Sequence, residues 1–392
     1  MSGLPIHQQR AFVARLNLTQ FRNHARLDLH TNGGPVCLVG PNGAGKTNIL
    51  EALSLLGPGR GLRGADLEEM ARQGEDGGPF AVAGQFDLGG ETRRIGIGLE
   101  KTPQGQRRVA RIDGKDASPK DLAQTVRLLW LTPAYDRLFA GPSADRRKFL
   151  DRLVFALAPE HATQAGLYDK AMRGRARLLE DANPDRKWLS LLEADAAASG
   201  VALALARLEA IDTLQSEIDA RPQGAFPKAA LTLTGTLEAA LRETPDAAAL
   251  EAQFCASLHD HRARDAAAGR ALEGPHRSDL SAVHVPTNMA AQKCSTGEQK
   301  ALVVTLVLAQ ARRIASLLPT AKSAGYCGPN PLVLLDEAAA HFDPARRAAL
   351  CAELQALPGQ SWLTGTDRML FEGFGRGASI FDVSAGQAKP VQ

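Results

Sequence analysis

The chain has 392 residues, 44% of them hydrophobic and 23% charged, and its formal net charge of +3 is too mild to indicate nucleic acid by itself. Its length exceeds what one hydrophobic core usually serves, so two lobes are expected. No run of eighteen apolar residues, signal-peptide core or lipidation motif occurs, and the five cysteines form neither a C-x-x-C pair nor an even framework, so a soluble protein of a reducing cytoplasm is expected.

Residues 10–18 alternate as a strand, and residues 35–39 read as a short buried one. The second runs into Gly40-Pro41-Asn42-Gly43-Ala44-Gly45-Lys46-Thr47, after which residues 48–56, beginning with Asn48, have helical composition. A G-x-x-x-x-G-K-[ST] element between strand and helix is a phosphate-binding loop. Gly40, Gly43 and Gly45 are expected to take positive φ and bring consecutive amides close to a β-phosphate, with the helix dipole aimed at the same anion. Lys46 then supplies charge to the β and γ phosphates, and the Thr47 hydroxyl becomes a Mg²⁺ ligand. The chain is expected to bind a nucleoside triphosphate. Gly-rich and Pro-rich stretches at 57–64 and 74–79 read as loops, residues 80–88 as a strand, and 126–131 as a largely apolar run.

Between Arg137 and Lys187, eleven Lys or Arg stand against seven Asp or Glu, with Arg146-Arg147-Lys148 contiguous and Arg173, Arg175 and Arg177 alternating. A solvated helix face and a phosphate-tracking surface both produce such clusters. Sparse aromatic residues favour contacts to a duplex backbone over base stacking. Residues 192–217 are amphipathic and lie among Pro184, Pro222 and Pro227, which suggests a compact helical lobe. Further on, Cys294-Ser295-Thr296-Gly297-Glu298-Gln299-Lys300 opens a long apolar helix. Ser295, Gly297 and Glu298 there form a second anion site or a simple N-cap. Leu332-Val333-Leu334-Leu335-Asp336-Glu337 describes a buried parallel strand whose carboxyl end delivers two acids. Asp336 should hold Mg²⁺, and Glu337 is the natural base to activate an attacking water. Residues 360–364 read as a last strand, followed by Gly365-Thr366-Asp367.

Taken in order, the phosphate loop, the Ser-x-Gly-Glu signature, the Asp-Glu strand and His341-Phe342-Asp343-Pro344 resemble the ABC-type heads of the SMC family. Phe21-Arg22-Asn23, Arg146 to Asp151 and Gly274-Pro275-His276-Arg277-Ser278-Asp279-Leu280 are each similar to stretches of the RecF family, and that resemblance covers nearly the whole chain. It implies an α/β fold, a P-loop ABC-type ATPase head with an inserted, mainly helical lobe. Residues 1–135 and 275–392 would be the two halves of the head and 136–274 the lobe. The signature lies much farther along the chain than in a transporter cassette, yet the insert is too short and lacks the heptads of an SMC tether. A transporter would also carry a switch histidine where this chain offers only Thr364 or Thr366, which suggests slow hydrolysis; a membrane-coupled cassette is the alternative reading. Among the other histidines, His276 and His341 read as capping or packing groups.

The resemblance further implies ATP and Mg²⁺ as cofactors, with Arg22 joining the phosphate loop at the nucleotide. Asp343 would mark a dimer turn, and each head would close the partner's nucleotide with Ser295, Gly297 and Glu298. The same resemblance implies an ATP-dependent homodimer on gapped or duplex DNA, with RecR and RecA as partners.

Overall fold

The computed structural model describes residues 11–72, 79–88, 90–102, 105–181, 183–321 and 331–391. In chain order the elements are β1 (Ala11–Phe21), β2 (His24–His30), β3 (Val36–Val39), α1 (Lys46–Leu55), α2 (Leu67–Met70), β4 (Ala81–Leu88), β5 (Thr92–Thr102), β6 (Gly105–Ile112), β7 (Lys115–Asp116), α3 (Pro119–Thr125) and β8 (Leu128–Leu131). Then follow α4 (Ser143–Leu157), α5 (Glu160–Leu179), α6 (Arg186–Asp219), β9 (Ala229–Thr234), α7 (Thr236–Glu243), α8 (Ala247–Asp260), α9 (Arg262–Ala268), β10 (Asp279–His284), β11 (Met289–Ala290) and α10 (Thr296–Ala321). The chain closes with β12 (Leu332–Leu335), α11 (Pro344–Ala356), β13 (Ser361–Gly365), β14 (Ser379–Ser384) and β15 (Gln387–Pro390).

These elements divide into two compact units: Met1–Asp136, Gln223–Phe226 and Val303–Gln392 form the first, and Arg137–Pro222 with Pro227–Leu302 the second. The stretch 275–302, read from sequence as the start of the second head half, therefore lies in the second unit. Backbone pairing is the reason: β10 zips antiparallel onto β9 from Asp279 opposite Thr234 to His284 opposite Ala229. Of the other sequence-read segments, Arg10, residues 74–78 and Cys327 lie outside the described residues.

In the first unit, β2-β1-β4-β5-β6-β7 form an antiparallel sheet, and β15-β14-β3-β13-β12-β8 form a second sheet whose inner strands run parallel. Alternate residues of β1 and β4, among them Val13, Leu16, Leu18, Val82 and Phe86, turn into a core shared with Leu38, Leu334 and Trp362 of the parallel sheet. Helix α1 sits within that core, with Ile49, Leu50, Ala52 and Leu55 all at 0% exposure. A helix covered on most sides needs no polar face. Strand order places β13 between β3 and β12, so the carboxyl ends of the three open onto the same edge, where ligands of parallel α/β sheets bind.

The second unit is mainly helical, with α6 packed against α5, α8 and strand β9 of the small sheet β11-β10-β9. Helix α6 is long and apolar enough to cross a membrane by composition alone. It nevertheless carries Glu193 and Arg207, both buried in ion pairs, which is the pattern of a core helix in a folded lobe. Arg207 grips Asp151 through two hydrogen bonds of 2.7 and 2.9 Å, and His161 reaches the same carboxylate at 2.9 Å.

Candidate active site

Strand β3 is wholly buried and delivers the chain to Gly40 at the sheet edge. Two of the three loop glycines take left-handed backbone, Gly43 at φ 81° and Gly45 at φ 108°. Gly40 does not, which corrects the sequence expectation; it is needed for close approach, because a Cβ there would stand 2.1 Å from the Val383 carbonyl. Gly45 is constrained twice, since a Cβ would also meet the Asn23 side chain at 2.6 Å. Asn23 Nδ2 donates to the Ala44 carbonyl at 3.0 Å, and Asn48 donates to Asn23 at 2.8 Å, so the turn after β1 braces the loop from outside.

Lys46 is 4% exposed and lies against the loop, its Nζ donating to the carbonyls of Gly40 and Pro41 at 2.6 and 2.9 Å. Burial lowers its pKa, opposed by the charges of Glu337 and Asp336. One residue on, the Thr47 hydroxyl donates to Asp336 at 2.8 Å, although 289 positions separate the two in sequence. Thr364 completes the cluster. Its hydroxyl donates to Asp336 Oδ1 at 2.8 Å and accepts the backbone N–H of Glu337 at 2.9 Å. Glu337 itself has φ 51°, a left-handed conformation that a non-glycine residue holds only when its surroundings fix it.

Sequence reasoning placed Thr364 as a stand-in for a switch histidine; the structure buries it at 1% exposure and makes it the link between both acids, while Thr366 is exposed. Replacing Thr364 by Val should leave the Glu337 amide without its acceptor and destabilise the first unit by about 1–3 kcal/mol. Thr364→Ser should recover most of that loss. Urea unfolding followed by the fluorescence of buried Trp362 reads both, and a Val variant that unfolds with the wild type would remove Thr364 from this role.

Arg22, expected at the nucleotide, is engaged within the fold. It makes a two-pronged contact with Glu51 at 2.9 and 2.8 Å and donates to the Glu69 carbonyl at 2.6 Å. The Glu51 side chain is fully buried on α1, and Arg63 also donates to Glu51 Oε2, at 2.8 Å. No sequence pattern announced this pair, because Glu51 sits among apolar helix residues and its partners come from two separate loops.

In the second unit, Ser295 caps α10 through a reciprocal box: its hydroxyl and amide both donate to Glu298 Oε2 at 2.8 Å, and the Glu298 amide donates back at 3.3 Å. Glu298 thus closes the cap. Beyond its own helical turn, no heavy atom of the described residues lies within 4 Å of where a Cβ of Gly297 would sit, so no contact among them requires a glycine there. Asp343 likewise caps its helix, accepting the Arg346 amide at 2.8 Å at the start of α11.

Of the basic clusters, Arg146 and Arg175 are internal braces. Arg146 makes a two-pronged pair with Asp279 at 2.7 and 2.8 Å, and Arg147 donates to the Ser278 carbonyl at 2.7 Å. Arg175 is 1% exposed and bridges Glu193 at 3.0 Å and Asp265 at 2.8 Å. Burial on the inner face of α5 corrects its assignment as a DNA contact, which the alternation of charges in sequence had suggested. Lys148, Arg173 and Arg177 remain exposed.

A phosphate loop after β3, paired acids after β12 on the far side of β13, and a capped signature helix define an ABC-type ATPase head of the SMC kind with an inserted lobe. Residues 12–385 match the model of the RecF/RecN/SMC N-terminal domain family. The chain is 47% identical to the DNA replication and repair protein RecF of Rhizobium meliloti (strain 1021) over 96% of its length and 98% of that protein's. Against RecF of Caulobacter sp. (strain K31) the identity is 50%, covering 93% and 94%. The chain belongs to the RecF family.

Its fold also matches a solved structure of the recombination mediator protein RecF-ATPrS in the RecFOR pathway, with TM-score 0.82 at 19% identity, covering 98% of this chain and 100% of the other. An Smc head domain from Pyrococcus furiosus, bound to the C-terminal domain of ScpA, matches with TM-score 0.51 at 14% identity, covering 97% and 96%.

Proposed function

We propose that the chain is an ATP-dependent DNA-binding protein of recombinational repair and replication restart in the cytoplasm, in which ATP joins two copies on DNA and slow hydrolysis releases them. The observation that carries this reading is the cluster of Thr47, Asp336 and Thr364 directly beside Lys46, with Glu337 fixed next to it. The loop amides and Lys46 would hold the β and γ phosphates, and Glu337 would orient a water in line with the γ-phosphorus and take its proton as the bridging oxygen leaves with ADP. The donors fit Mg²⁺, since a hydroxyl and a carboxylate within 2.8 Å are hard oxygen ligands of the kind that leave positions for phosphate oxygens and water. Bound there, Mg²⁺ would neutralise developing charge on the β and γ oxygens.

Closure in trans is supported by the open space over Gly297 beside a capped helix N-terminus, where another molecule's anionic phosphate would meet free amides. Relatives named RecF support DNA as the polymer and repair as the setting; gapped or junction DNA, stimulation of weak hydrolysis by DNA, engagement of RecR and help in loading RecA complete the proposal. Gly297→Arg tests it. The side chain has room within the monomer, so ATP affinity should stay near wild type while ATP-dependent dimerisation and hydrolysis are lost. Mixing it with Lys46→Ala gives dimers with one intact loop facing one intact signature, and part of the activity should return. Dimers of Gly297→Arg that form normally with ATP in size-exclusion chromatography would rule out the shared site.

A further inference from the structure

Helices α5 and α9 and the segment 269–277 line a half-open pocket of about 310 Å³ within the second unit, at the small end of the range for ligand sites. Its wall is apolar, formed by Met172, Ala176, Leu179 and Ala266. At its inner end, Tyr168 donates its hydroxyl proton to His276 Nδ1 at 2.6 Å, while His276 Nε2 donates to the Ala271 carbonyl at 3.1 Å. The Tyr168 oxygen therefore keeps lone pairs that can accept a hydrogen bond from a ligand. Buried Arg175 also lines the cavity, but Glu193 and Asp265 neutralise it.

The mouth is different in charge. Arg173, Arg270 and Arg277 stand there, facing Asp169 and Glu180. Arg173 pairs with Asp169 in an exposed contact, which contributes little. Arg270 and Arg277 make no ion pair among the described residues and leave the mouth with a surplus of positive charge. Arg277 is also held rigidly. Its turn is anchored by Arg207 donating to the Pro275 carbonyl at 2.6 Å, by Arg147 donating to the Ser278 carbonyl at 2.7 Å, and by the His276 contacts. Three neighbours of Arg277 are fastened inward, yet its own side chain is exposed. This gives the Gly-Pro-His-Arg-Ser-Asp motif a use that the ATPase head leaves unexplained.

We propose that this cavity takes a nucleoside phosphate, with the base and sugar against the apolar wall and the phosphate on Arg270 and Arg277. The moiety would come either from a free nucleotide or from the terminal nucleotide of a DNA strand, where unstacking a base costs least. The DNA source rests on the function proposed above; the cavity itself does not.

Equilibrium dialysis of the full chain carrying Lys46→Ala, with radiolabelled deoxyadenosine monophosphate, reads the cavity apart from the phosphate loop. Ala266→Trp fills the wall from an exposed position, and Arg270→Ala with Arg277→Ala removes both unpaired cations from the mouth. Each change should weaken binding on the order of 10-fold or more, as loss of a charge-assisted hydrogen bond does. The second arm compares gapped duplex with covalently closed duplex on the ATP-bound chain with an intact loop. Weakening confined to the gapped DNA assigns a strand terminus, whereas weaker monophosphate binding with both DNAs unchanged assigns a free nucleotide. Unchanged affinities in both arms overturn the proposal. Absence of any ATP-dependent binding to either DNA by the wild type would instead overturn the DNA function and leave the monophosphate arm standing.

Discussion

Lys46→Ala is expected to abolish ATP binding, dimerisation, DNA retention and hydrolysis together, whereas Glu337→Gln should separate the last of these from the rest. Lys46 contributes charge from a nearly closed position at the base of the loop, and a charged hydrogen bond to phosphate is among the strongest single contacts available. Glu337 stands beside Asp336 at the end of β12 with its amide held by Thr364, so the amide substitution keeps the shape and removes only the proton acceptor. Hydrolysis should fall on the order of 10²-fold or more. The Glu337→Gln chain should then persist as an ATP-bound dimer. Size-exclusion chromatography with ATP, run beside a phosphate-release assay, decides the matter: a monomeric Glu337→Gln chain, or one hydrolysing at the wild-type rate, would mean that another group activates the water.

The second large effect lies in the lobe. Arg175→Ala should destabilise the second unit by about 3–5 kcal/mol, because it leaves two buried carboxylates facing each other without their shared cation. Glu193 keeps a partner in Arg262 at 2.6 Å and Asp265 is approached by Arg264 at 3.6 Å, so the loss belongs toward the lower figure. Paired substitution of Arg173 and Arg177 by Ala should behave in the opposite way. Both side chains are exposed, stability should hardly change, and the salt dependence of ATP-dependent DNA binding should flatten by up to about two units per chain. Urea unfolding and a salt titration together separate the two outcomes. Wild-type stability in Arg175→Ala would show that the buried pairs are dispensable; an unchanged salt slope in the double variant would move DNA to another surface.

Local chemistry and backbone propensity were enough for sequence to place the phosphate loop, the Asp-Glu strand and the capped signature. Each of those is a contiguous run whose function depends on its own backbone: glycines for the turn, four apolar residues for a buried strand, Ser and Glu at the required spacing for a cap. Sequence also specified the α/β head and its inserted lobe, since the distance between loop and signature requires an insertion. It could not say what single side chains do once distant segments meet. Arg173, Arg175 and Arg177 look alike in the chain, yet the helical period turns Arg175 inward to two carboxylates and leaves its neighbours in water. Thr364 looked like a weak replacement for a histidine until β13 settled between β3 and β12 and brought its hydroxyl to Asp336 and the Glu337 amide. Gly40 gave the same signal as Gly43 and Gly45, but its reason is the Val383 carbonyl, far along the chain on β14. In each case the deciding contact joins different elements of the fold: packing of α5 against α6 and α9 for Arg175, and the strand order of the parallel sheet for Thr364 and Gly40.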